Sequence, residues 1–166
     1  MILGILLNEI HSEGSRVVLM DNSTTVKELN TVLKGEQMAA ESYELFITKV
    51  DDEKVREQFE HFRSNHRTNA EILSKRIRSL GAEPDKGTGI PGMFSQVKLE
   101  FQTKGKDSDD VLKRAYFGED KGVKMAEEIV KGDLDQESMS VVQDVLEKDR
   151  HHLEMMMDFM QDNKLQ

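Results

Sequence analysis

Apolar residues recur at alternating steps of three and four from the first third of the chain onward: Val26, Leu29, Leu33, Ala40, Tyr43, Ile47 and Val50. That spacing draws one stripe along an α-helix. The place in the series between Leu33 and Ala40 is held by Glu36 instead of an apolar residue. A second stripe, Val55, Phe59, Phe62, Ala70, Leu73, Ile77 and Leu80, is broken in the same way by His66. A third, Leu112, Ala115, Gly122, Ala126 and Ile129, is broken by Glu119. The fourth uses Met139, Val142, Val145 or Leu146, Leu153, Met156 and Phe159 or Met160, and its break is Asp149, with His152 one turn further on.

Local signals bound these stripes. Thr25 and Glu28 have capping-box spacing at the start of the first helix, Asp51-Asp52 turns the chain, and Gly81 with Pro84 ends the second helix. Asp107 to Asp110 suit a helix N-terminus both as caps and as negative charge against the dipole, and Gly132-Asp133 makes the last turn. Residues 82–106 hold both prolines and a cluster of glycines, so they read as a connection, with a short helical piece around Met93 to Phe101. Residues 1–22 read differently, as two short apolar runs around Ser12-Glu13-Gly14-Ser15, and predict an N-terminal arm or hairpin before a domain of residues 23–166.

Four helices of about 25 residues, each about 38 Å long, make a four-helix bundle. Short turns join helices 1 and 2 and helices 3 and 4 as antiparallel hairpins, while the long connection can cross the bundle and set helices 2 and 3 parallel. The expected fold is therefore all-α, an up-down-down-up bundle with one long crossover. Composition agrees: one third of the residues are charged, and 166 residues hold only seven Phe, two Tyr and no Trp, which favours amphipathic helices over a sandwich or barrel. The net charge of -9 disfavours nucleic acid as a partner. The apolar opening Met1 to Leu7 is too short for a membrane span and carries no secretory signal, so the expected location is the cytoplasm.

The absence of cysteine excludes disulfides, thiolate metal sites and cysteine nucleophiles, leaving Asp, Glu and His as the only strong metal ligands. Residues equally far from a hairpin turn lie at one level, so counting out from Asp51-Asp52 sets Glu36 beside His66. Counting out from Asp133 sets Glu119 beside Asp149 and His152. A buried carboxylate without a partner costs several kcal/mol, so breaks at one height in four helices call for a compensating partner. A divalent cation is one, and carboxylate and imidazole ligands suit iron, manganese or zinc. His11, His61 and His151 fall off the stripes and are expected to face solvent.

The arrangement of Leu33-Lys34-Gly35-Glu36 to Tyr43, Phe59 to Gly81 around His66, Gly118-Glu119-Asp120, and Asp149-Arg150-His151-His152 resembles the ferritin-like superfamily over about residues 25–161, and is most similar to its uncharacterised bacterial domains of unknown function. In that superfamily's di-iron proteins two helices each give one Glu and two each give Glu-x-x-His. The resemblance implies Glu36 and Glu119 as the single carboxylates, Asp149 and His152 as one Asp/Glu-x-x-His pair, and His66 as the histidine of the other. It implies one or two iron or manganese ions, with redox or iron-handling activity. The sequence departs from the pattern three residues before His66, where Arg63 stands and cannot ligate. A second reading, a metal-free helical structural or interaction module with a stress-related role, has Arg63 pair with Glu36 or Glu119 and close a polar cluster. No nucleophile and base identify a substrate or reaction, and a homodimer is the assembly the reading allows.

Overall fold

The structure is a computed structural model that describes residues 10–86 and 107–162, with side chains from Ser23 onward. Its elements are α1 (Ile10–Ile47), α2 (Glu53–Ser79), α3 (Ser108–Val130) and α4 (Gln136–Asp162). α1 packs chiefly on α2 and α3 on α4, with α1 also beside α3 and α2 beside α4.

The ends of the helices fix the topology. Asp52 caps α2, its carboxylate accepting from the Val55 backbone N–H at 3.1 Å. The Ser108 hydroxyl, in the first turn of α3, accepts from the backbone N–H groups of Asp51 and Asp52 at 3.0 and 3.3 Å. α2 and α3 therefore start at the same end of the bundle and run parallel. At the opposite end Arg76, in the last turn of α2, bonds to Asp135 at 2.7 Å and to Ser138 at 2.9 Å where α4 begins. This is the expected up-down-down-up order, in which α2 and α3 are joined by a long connection. Residues 87–106 of it, including the helical piece expected around Met93 to Phe101, lie outside the described residues.

The terminal signals read from the sequence act mostly as expected. Gly81 takes the left-handed conformation (φ 81°), and its N–H reaches the Arg78 carbonyl while the Ala82 N–H reaches back to Ile77, which closes the last turn of α2. Asp107 caps α3. The start of α1 differs from expectation. Residues 10–22 continue α1 as helix rather than forming an arm or hairpin, and Thr25 is buried within α1 instead of capping it. A lone hairpin is marginal in water, whereas extending an existing helix adds a hydrogen bond for each residue fixed, and one interior glycine costs only about 1 kcal/mol. Residues 1–9 lie outside the described residues.

Two apolar clusters fill the bundle. One, at the end where α1's described side chains begin, joins Leu29, Leu33, Leu73, Ile77, Val123 and Leu146. The other, toward the α1–α2 turn, joins Tyr43, Phe46, Phe59, Phe62, Leu112 and Met156. The four stripe breaks lie between them.

Candidate metal centre

Glu36 from α1, His66 from α2, Glu119 from α3, and Asp149 and His152 from α4 are all buried, each no more than 6% exposed. The helical stripes deliver them to one layer because each occupies a core-facing place in its series. Four of them, His66, Glu119, Asp149 and His152, each offer a ligand atom within 4.8 Å of the others'. Glu36 stands next to this tetrad, its Oε2 2.8 Å from His66 Nδ1.

The layer is closely hydrogen-bonded. Glu119 accepts from the Tyr43 hydroxyl at 3.1 Å and meets His66 Nε2 at 3.2 Å and His152 Nδ1 at 2.8 Å. Glu36 also accepts from Asn69 Nδ2 at 3.1 Å, and the Asn69 carbonyl in turn accepts from Lys148 Nζ at 3.2 Å. His152 Nε2 lies 3.0 Å from Asn65 Nδ2. The Tyr43 ring stacks on His66 at 5.5 Å between centroids, and Phe62 lies 4.2 Å from the His152 ring, so the imidazoles are held by packing as well. One atom stands apart: Asp149 Oδ1 is buried without a hydrogen-bond partner, 3.8 Å from His66 Nδ1 and 4.0 Å from His152 Nδ1.

Burial and mutual charge pull these groups apart in proton affinity. Burial opposes a charged His66, but the carboxylates of Glu119 and Glu36 on either side outweigh it and hold its pKa well above the usual range. Burial likewise opposes an ionised Glu119, yet the His66 charge and the hydrogen bonds from His152 and His66 bring its pKa down to about 2. Asp149 moves the other way: burial first, then the neighbouring Glu36 carboxylate, push it up to about 9. Burial lowers the pKa of His152, and burial with the Glu119 carboxylate beside it raises that of Tyr43. The layer thus sets a histidine of raised proton affinity between Glu36 and Glu119, beside an acid whose pKa is pushed up.

All five residues named from the sequence come together, while His61 and His151 are exposed as expected. Arg63 corrects the expectation attached to it. It makes no hydrogen bond or ion pair with Glu36 or Glu119, and its Nε is buried without a hydrogen-bond partner. Glu36 Oε2 and both Glu119 oxygens are engaged by His66, His152, Tyr43 and Asn69, so His66, whose pKa is raised, takes the place between the two carboxyl groups that Arg63 was expected to fill. Sequence reasoning missed Asn69, which is fully buried, and Asn65. Asn69 stands three residues after His66, a spacing that places it on the same helical face and could have revealed it.

A cavity of about 540 Å³ between α1 and α3 reaches Glu36, His66, Glu119 and Asp149, and its other walls are mainly apolar, among them Met38, Phe46 and Met125. On the opposite face a second, more open cavity, of about 450 Å³ between α2 and α4, is lined by polar and charged residues and reaches His152 past Asn65 and Lys148.

Fold and layer together define a ferritin-like four-helix bundle. Residues 24–132 match the family described as a domain of unknown function, DUF2383, and the chain belongs to that family. The match contains Glu36, His66 and Glu119, while Asp149 and His152 lie beyond it. Among solved structures the chain is similar to a dodecameric thioferritin, the bacterioferritin-related protein of Bacteroides fragilis, with a TM-score of 0.74 at 17% identity over 92% of this chain and 94% of that one. It is also similar to a two-domain protein of Anabaena variabilis ATCC 29413 with DJ-1/ThiJ/PfpI-like and ferritin-like domains, with a TM-score of 0.71 at 15% identity over 86% of this chain and 37% of that one. No curated protein matches the chain significantly in sequence. No described helix is long and apolar enough to cross a membrane.

Proposed function

We propose that the chain binds one divalent cation, iron or manganese, through His66, Glu119, Asp149 and His152, with Glu36 beside them, and uses it in redox or iron-handling chemistry. The observation that carries this reading is Asp149 Oδ1: a buried oxygen with no hydrogen-bond partner, in a layer where a carboxylate and two imidazoles converge on it. Leaving such an oxygen unmatched costs about 1–3 kcal/mol, which a cation would remove. One ion suits the donors better than two, because Arg63 stands where the di-iron pattern has its fourth carboxylate and Glu36 is held by His66 and Asn69. Bound iron would supply one-electron redox chemistry, and bound manganese redox or Lewis-acid assistance.

The dodecameric assembly of the thioferritin supports a homo-oligomer in place of a monomer. Metal content by plasma mass spectrometry tests the reading. About one iron or manganese per chain is expected in the wild-type protein, and loss of it in Glu119→Ala. Retention of the metal in that variant would overturn the ligand set.

The metal-free reading has one observation in its favour. His66, positioned between Glu36 and Glu119, gives the layer an internal counter-charge without a cation. On that reading metal is absent even after anaerobic Fe(II) loading.

A further inference from the structure

His152 is 1% exposed, and its two ring nitrogens face different partners. Nδ1 points into the layer, 2.8 Å from Glu119 Oε1, while Nε2 points toward the α2–α4 face, 3.0 Å from Asn65 Nδ2. Glu119 accepts at that contact, so in the metal-free protein Nδ1 carries the proton and the Nε2 lone pair accepts from Asn65. The second N–H of the Asn65 amide reaches His61 Nε2 at 3.3 Å, one helical turn back on α2. This contact holds the amide with its nitrogen toward both imidazoles.

A cation in the layer needs the Nδ1 lone pair, which requires the remaining ring proton to sit on Nε2. An Asn side chain can serve both states, because a half-turn of its amide replaces the N–H donor with a carbonyl acceptor. Asp can only accept, and Leu can do neither.

We infer that Asn65 is the positioning residue that sets the tautomer and orientation of His152, and that its amide turns over when the layer takes up a cation. The cation-dependent half of this inference rests on the proposed metal site; the tautomer half does not. Partners behind a ligating imidazole commonly contribute tenfold to a hundredfold in metal affinity.

Two readouts test it, neither of them catalytic. In metal-free protein, imidazole nitrogen NMR should find the His152 proton on Nδ1 in the wild type and Nε2 protonated in Asn65→Asp. In titrations followed by Co(II) absorption, Asn65→Leu should bind roughly 10–100-fold more weakly than wild type, and Asn65→Asp should restore wild-type affinity or exceed it. An Nδ1-only proton in Asn65→Asp, or a Co(II) affinity for Asn65→Leu within about twofold of wild type, would overturn the inference. If the wild-type protein binds no Co(II), the metal reading fails by itself, and the NMR comparison still decides the role of Asn65.

Discussion

Arg63 and His66 show how one residue can take over a task that another was expected to perform. Both are cation-forming side chains on α2, but His66 is buried between Glu36 and Glu119, whereas Arg63 bonds to neither. Replacing Arg63 with Leu should therefore change stability by less than about 1 kcal/mol in urea denaturation, because no carboxylate of the layer loses its partner. A loss of several kcal/mol would show that Arg63 neutralises the layer after all. Asn69→Leu is expected to cost about 1–3 kcal/mol, since Glu36 loses a buried donor while Lys148 can turn to solvent. Four of the five candidate site residues, Glu36, His66, Glu119 and Asp149, were legible in the sequence because each breaks an apolar series, and His152 was legible from its place one helical turn beyond Asp149. Asn69 left only its spacing from His66 as a signal, and Asn65 left none, since an Asn beside a stripe looks like any polar residue at the edge of a helix until its partner on another helix is known.

At the scale of elements, the helix ends carry signals whose strength can be measured. Asp135 precedes α4, and its carboxylate accepts from the backbone N–H groups of Glu137 and Ser138, the Ser138 hydroxyl and the Arg76 guanidinium. Partial burial works against its ionised form, but the hydrogen bonds from Ser138 and the charge of Arg76 prevail and lower its pKa. A group with a lowered folded-state pKa contributes stability above about pH 4, and that contribution fades as the pH falls through the folded-state value. Asp135→Ala should thus lose about 1 kcal/mol at neutral pH and less in acid, as read by thermal melts across pH. A uniform loss at every pH would contradict the assignment. Gly122 lies inside α3 with open space where a Cβ would project, so Gly122→Ala should stabilise the protein by about 0.5–1 kcal/mol. The ends of α2 and α3 could be read from Asp52, Gly81 and Asp107, whose cap geometry depends only on adjacent residues. The start of α1 could not, because the Ser12 to Ser15 segment has turn-forming composition while the helix next to it can propagate through that segment.

For the whole molecule, two apolar clusters close a polar layer from above and below, and this sandwich makes the layer costly to leave unbalanced. The fold was readable because stripe period and turn lengths suffice to choose the bundle and its up-down-down-up order of helices. The content of the layer depends on which buried oxygen lacks a partner, and that emerges only when four helices are brought together. Within the layer, Asp149 Oδ1 is such an oxygen. The most direct test of the one-cation account is native mass spectrometry of the purified chain after anaerobic Fe(II) loading and removal of loosely held metal. The account predicts one iron per chain; two per chain, or none, would contradict it.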